Sequence, residues 1–272
     1  FAAEFPDRFF ECGIAEANMI GTAAGMSLNG KIPFAGSFAS FATGRVYDQI
    51  RQSVAYSHTN VKICASHAGI TLGEDGATHQ MMEDIGLMRM LPNLTVINPC
   101  DYNQTKAATI AVARHIGPVY LRFGRPSVPN FTPENQEFVI GKAIKLIEGK
   151  DVTVIATGHL VWEAIIAAAE LEKEGISVEL INIHTIKPLD EKAVLESATK
   201  TRAVVIAEEH LYAGGLGELV SDLLSRNCPV FTEHVAVNDK FGQSGEPAEL
   251  MKAYKLDYNG IIEAVKRVKA KK

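Results

Sequence analysis

Along most of the chain, short runs of consecutive apolar residues alternate with segments whose apolar residues recur every three or four positions. The stretch "IAEANMIGTAAGMSL" (14–28) carries small and apolar residues at helical spacing and stops at "NG", a usual helix-ending pair, which predicts a buried helix. "KIPFAGSF" (31–38) reads as a strand, and 46–56 as a helix with Val46, Ile50 and Val54 four apart. "VKICA", a helix over 81–91, "LTVIN", a helix over 102–115 and "PVYLRF" continue the alternation. Strands separated by helices of this length imply crossover units and a parallel sheet.

After Phe123 the pattern breaks into "GRPSVPNFTPENQEF", where Pro126, Pro129 and Pro133 deny both helix and strand ladder. This places a domain boundary near residue 135. The second half restarts with "VTVIAT", a helix over 161–173, "ISVELINI", a helix from Glu191, "AVVIAE", a helix opened by "GGLGE", and "VFTEHV". The expected fold class is α/β with two domains, 1–135 and 136–272, each a mostly parallel sheet flanked by helices, the second being the smaller. The sequence has no repeat at a fixed period.

Composition narrows the function. With 272 residues, 47% of them hydrophobic, the chain can build two cores. A net charge of −5 offers no broad basic surface, so nucleic acid is not expected as a partner. The one basic run, "KRVKAKK" (266–272), reads as a solvated helix end. No membrane span is expected, since no apolar stretch approaches roughly 18 residues. Cys12, Cys64, Cys100 and Cys228 lack CxxC spacing and read as reduced, structural thiols of a cytoplasmic protein. Phe1 begins in mid-pattern, which predicts further chain upstream.

In parallel sheets, ligands bind beyond the carboxyl ends of the strands, which gives weight to polar or aromatic residues just after apolar runs. After "VKICA" comes "SHAGITLGEDGATHQ" (66–80), with His67, Glu74, Asp75 and His79; Phe38 and Phe41 lie at the end of "KIPFAGSF", and Arg122 and Arg125 at the end of "PVYLRF". Each has an ordinary reading: a surface histidine, a core phenylalanine, a linker arginine paired with a nearby acid. His67 and His79 are 12 apart with no third soft ligand close by, so no metal site is assigned. "GGLGE" lacks a full dinucleotide fingerprint. Glu16 changes the weighting: it is an acid among small and apolar residues at a helix start, held there by backbone amides or placed to share a proton with a ligand.

"FPDRFFECGIAEANMIGTAAGMSLNGKIPFAGSFASF", "YDQIR" and "SHAGITLGEDGATHQ" together resemble the pyrimidine-binding half of transketolase, a thiamine-diphosphate enzyme. Residues from about 136 resemble the transketolase C-terminal domain. The resemblance implies that Glu16 hydrogen-bonds the pyrimidine of thiamine diphosphate and drives its proton chemistry, and that Phe38 and Phe41 pack against that ring. It implies that His67 and Arg125 bind the phosphate of a sugar phosphate, that Asp75 and His79 read sugar hydroxyls, and that His79 stands near the reacting carbons. Arg122 is assigned no role.

Two departures matter. Many members carry a further aromatic three residues past the second Phe, where this chain has Gly44. The GDG motif and following Asn that hold the diphosphate and a divalent cation such as Mg2+ are absent. The resemblance therefore implies the C-terminal subunit of a split transketolase, a transferase of the pentose phosphate pathway. Its partner would be an N-terminal subunit carrying the GDG domain and the metal, with self-association giving a heterotetramer. The alternatives within the cofactor class are a 1-deoxy-D-xylulose-5-phosphate synthase-like enzyme and the beta subunit of a 2-oxo acid dehydrogenase. From a different class, the alternative is a non-catalytic interaction subunit that kept the fold.

Overall fold

Consecutive positions of the inner first-half strands are buried because both faces of those strands are covered, as parallel strands require. The computed structural model describes residues Phe1–Lys272. It begins with α1 (Glu16–Leu28), β1 (Phe34–Phe38), the short helices α2 (Ala39–Ala42) and α3 (Tyr47–Gln49), and β2 (Lys62–Ser66). Next come α4 (Asp84–Met90), β3 (Thr95–Ile97), α5 (Tyr102–Arg114) and β4 (Val119–Arg122). The second half contains β5 (Ile144–Ile147), β6 (Val152–Ala156), α6 (Leu160–Lys173), β7 (Val178–Asn182), β8 (Thr185–Lys187), α7 (Glu191–Thr201) and β9 (Ala203–Leu211). It closes with α8 (Leu216–Asn227), β10 (Phe231–Val237), α9 (Pro247–Ala253) and α10 (Tyr258–Lys271).

The strands form two five-stranded sheets, ordered β1-β2-β4-β3-β8 and β10-β9-β6-β7-β5. Pairing is parallel except at one edge of each, where β8 and β5 run antiparallel to their neighbours. Neither edge strand is legible as an apolar run. β8 comes from the second half of the chain yet completes the first sheet, pairing Val96 with Lys187 and so covering the open edge of β3. One hydrophobic cluster accordingly runs from Ile20 and Ile63 through Val96 to Ile155, Ile206 and Leu216, joining the halves through a shared core. No helix is long and apolar enough to cross a membrane.

Three predicted helices differ from what forms. The segment predicted over 46–56 is α3 followed by a wider π-helical turn, Ile50–Tyr56. The helix expected over 81–91 starts only at Asp84, because Met81 is bridged to Gly69 across the preceding loop. α1 is not a buried helix within this chain: it buries Glu16, Ile20, Ala23 and Ala24, while Ile14 just before it is 93% exposed and Leu28 at its end 77%. Nothing in the chain covers that second face.

Between the halves lies a buried ion pair. Arg122 Nε donates to Asp84 Oδ2 at 2.7 Å, and Tyr120 Oη donates to the same oxygen at 2.6 Å. Arg122 Nη2 also donates to the Glu209 carbonyl at 2.9 Å, reaching into the second half. Burial would raise the Asp84 pKa, but the Arg122 guanidinium outweighs it and holds the carboxyl below its ordinary range. A folded pKa below the unfolded one means this stabilisation is fully present above the unfolded value, near pH 4, and is lost as pH falls through the folded value. Arg122→Met strands the carboxylate and should cost about 3–5 kcal/mol at neutral pH, read from urea unfolding midpoints. The same variant should recover relative to wild type between about pH 7 and pH 5, as the stranded Asp84 takes up a proton. A constant difference across that range would contradict the assignment.

Candidate active site

The strand order brings three carboxyl ends side by side. Phe38 at the end of β1 is in register with Ser66 of β2, and Ala65 of β2 with Arg122 of β4. His67, one residue past β2, turns back with φ +59°, a left-handed conformation that a non-glycine residue holds only when its surroundings enforce it. Its ring stacks on Phe38 with centroids 3.8 Å apart, and its Nδ1 lies 2.9 Å from Ser66 Oγ.

Phe38 and Phe41 are nearly parallel at 6.2 Å, and His79 meets the Phe41 ring edge-on at 5.3 Å. Arg45 sits over Phe41 with its guanidinium carbon 4.0 Å from the ring centroid, a cation–π contact. The same side chain donates from Nη1 to both Glu16 oxygens at 3.3 and 3.2 Å. Glu16, Phe38, Phe41, His67 and His79 are thus brought together in one line, with Arg45 as the link that sequence reasoning missed. Phe41 and Arg45 lie on separate short turns joined by Thr43, so no helical spacing announced their contact. Neither sequence reading of Glu16 foresaw this partner. The place of the absent third aromatic is approached by Met81, whose Cε would lie 3.8 Å from a Cβ on Gly44.

Arg125 lies on the loop after β4. Its Nη1 donates to the Leu72 carbonyl at 2.5 Å and to Glu74 Oε2 at 2.6 Å, so the ordinary reading, an arginine paired with a nearby acid, holds in the ligand-free chain. Partial burial and the charge of Arg125 lower the His67 pKa, with Asp75 opposing, which keeps the imidazole neutral at pH 7 and places all three residues in one electrostatic neighbourhood. Asp75 itself is exposed and precedes a single 3-10 turn, Gly76–Thr78. His79 Nδ1 lies 2.9 Å from Thr78 Oγ1. The loop is pinned by Gln80, whose amide donates to the carbonyls of Ile70 at 2.9 Å and Gln243 at 3.0 Å. The Cys64 thiol is pushed up to about 12 by burial, which removes it as a nucleophile.

Fold and site define a two-domain α/β protein whose first sheet carries, at its carboxyl edge, an aromatic pair linked through Arg45 to a carboxylate, with His67 stacked on one ring and Arg125 on the neighbouring loop. Residues 1–130 match the domain described as "Transketolase, pyrimidine binding domain" and 141–261 the one described as "Transketolase, C-terminal domain". The chain is 47% identical over 272 residues to the 6-deoxy-6-sulfo-D-fructose transketolase subunit SqwH of Clostridium sp. (strain MSTE9), covering all of this chain and 84% of that protein. It is 47% identical over 269 residues to a putative transketolase C-terminal section of Methanocaldococcus jannaschii, covering 97% and 84% of the two. With human transketolase it shares 40% over 270 residues, 98% of this chain but 43% of that one. A solved structure described as "Split gene transketolase, inactive beta4 tetramer" superposes with a TM-score of 0.94 at 46% identity, covering 99% of this chain and 87% of that one. The chain belongs to the transketolase family, and has the two-domain composition of its split subunits.

Glu74 pairs with Arg125, so an anion brought to Arg125 would have to compete with a carboxylate. Glu74→Gln should tighten inorganic phosphate binding by about two- to fivefold, the span an exposed ion pair commands, as measured by calorimetry. Weaker binding would mean that Glu74 orients Arg125 instead of blocking it.

Proposed function

We propose that this chain is one half of a transketolase, active with a second chain that carries the GDG diphosphate-binding domain and the divalent cation. The pair would transfer a two-carbon ketol unit between sugar phosphates, using thiamine diphosphate shared across the two chains. The observation that carries this reading is the juxtaposition of Glu16 with the Phe38–Phe41 pair through Arg45. A carboxylate beside parallel aromatic rings suits the pyrimidine half of the cofactor, while the sequence offers no GDG motif for its diphosphate half. When bound, the cofactor supplies a nucleophilic carbon that a protein side chain cannot.

The chain's own residues do the rest. Glu16 holds a proton against the pyrimidine nitrogen, and must release one oxygen from Arg45 to do so. Phe38 and Phe41 give the ring an apolar seat that excludes water. His67 and Arg125 take a terminal tetrahedral anion, neutral imidazole and planar fork together. Relatives named for a 6-deoxy-6-sulfo sugar and for apulose 4-phosphate act on sugars bearing such groups, which supports that class of substrate. Asp75 and His79, on the loop that follows β2, read hydroxyls, and His79 serves the reacting carbons. Residues 1–135 serve as the pyrimidine-binding domain and 136–272 as the C-terminal domain.

Several features support a partner. The bare face of α1 and the exposed Phe1, Phe9, Phe10 and Ile14 need a cover that this chain lacks. The similar beta4 tetramer is described as inactive, in keeping with a site completed by another chain. A heterotetramer and a cytoplasmic setting, with all four cysteines free, complete the proposal.

With its partner, the protein should convert xylulose 5-phosphate and ribose 5-phosphate to sedoheptulose 7-phosphate. Pyruvate turnover without ketol transfer would instead assign it to the synthase or dehydrogenase branch. Glu16→Gln should lower turnover by about 10²–10⁴-fold with an unchanged circular dichroism spectrum. Near-normal turnover in that variant would overturn the assigned role.

A further inference from the structure

The second half of the chain grips the anion reader from behind, through one acid. Glu209 lies on β9 and its side chain is 2% exposed. Its Oε1 accepts a hydrogen bond from the Thr71 amide at 2.7 Å, although the two are 138 residues apart in sequence. The next residue, Leu72, offers the carbonyl that Arg125 Nη1 holds. Gly69, at φ +84°, leaves the space that the Glu209 carboxyl fills; a Cβ there would overlap it. The other carboxyl oxygen lies 3.7 Å from His159 Nδ1. The His159 ring packs directly on Gly124, the residue before Arg125, where a Cβ would again overlap. Glu209 and His159 thus bear on both ends of the arginine's support: the loop that accepts its hydrogen bond and the backbone that carries it.

We infer that Glu209 is a positioning residue for the His67–Arg125 anion reader, setting affinity for the substrate's terminal anion without touching substrate or cofactor. The inference rests on the proposed transketolase reading. The carboxyl is kept dry, one oxygen held by the Thr71 amide and the other facing the His159 ring at 3.7 Å, beyond hydrogen-bond length. Its loss would release the Gly69–Leu72 segment and, with it, the Leu72 carbonyl. The pyrimidine side of the site, at Glu16 and Arg45, has no contact with Glu209, so the chemical step should be spared.

The test uses the reconstituted two-chain enzyme with two donors: xylulose 5-phosphate, which carries the anion, and hydroxypyruvate, which has no phosphate. Glu209→Ala should raise KM for xylulose 5-phosphate about tenfold, with kcat within about twofold and KM for hydroxypyruvate unchanged. Glu209→Gln keeps an acceptor oxygen for the Thr71 amide and should stay within about threefold of wild type for both donors. If Glu209→Ala does not fold, Gly69→Ala must show the same donor-selective rise, because it displaces the same segment against an intact carboxylate. Parallel KM rises for both donors, an equal fall in kcat with both, or no change would overturn the inference while the wild-type enzyme remains a transketolase. A wild-type complex without ketol transfer would instead overturn the functional reading, and this inference with it.

Discussion

The arrangement depends on Arg122, a guanidinium with no access to water. A buried charge of this size is tolerated only with a well-aligned counter-ion and further acceptors, and here Asp84 takes Nε and Nη2 while the Glu209 carbonyl takes Nη2 as well. Arg122 ends β4, three residues before Arg125. Fixing it fixes where the chain leaves the sheet, and therefore where Arg125 can stand. The same contact fastens the second half of the chain to the first at the edge of the site.

β9 extends this principle through three consecutive buried polar residues. Glu208 accepts the amides of Leu216 and Gly217 at 2.7 Å each, capping α8 with a carboxylate at its positive end. Burial raises the Glu208 pKa, against the opposing hydrogen bonds from those amides. His210 Nε2 accepts the Gly86 amide at 3.2 Å, tying down α4, while the opposite hydrogen of its ring faces the Leu211 carbonyl at 2.8 Å. Glu209, on the other face by strand alternation, holds the reader loop. Polar residues in the middle of an apolar strand thus join a helix of each half and the site loop to one strand of the second sheet.

The fold was legible wherever apolar periodicity carried the information. Strands such as β2 (Lys62–Ser66) and β6 (Val152–Ala156) are largely apolar because they lie inside their sheets, and the helices between them are amphipathic enough to read. β5 and β8 were not legible, since edge strands need few apolar positions and β8 is defined by a partner 88 or more residues away in the chain. The buried form expected for α1 failed for a related reason: its apolar pattern specifies cover, but no element of this chain supplies it. At the site, Glu16, His67 and the aromatic pair were visible because acids and histidines are unusual beside apolar runs. Arg45, Glu209 and His159 were not, because what matters about them is whom they meet in space. An "EEH" inside a strand gives no hint that its middle acid reaches a loop in the other half.

The central claim is that this chain holds the pyrimidine end of a cofactor whose other end belongs to a second chain. Calorimetric titration of thiamine diphosphate with Mg2+ tests this most directly, performed on this chain, on the GDG-bearing partner and on their mixture. The account predicts tight, stoichiometric binding in the mixture alone, weakened when the mixture contains Glu16→Gln. Tight, stoichiometric binding to this chain by itself would contradict it.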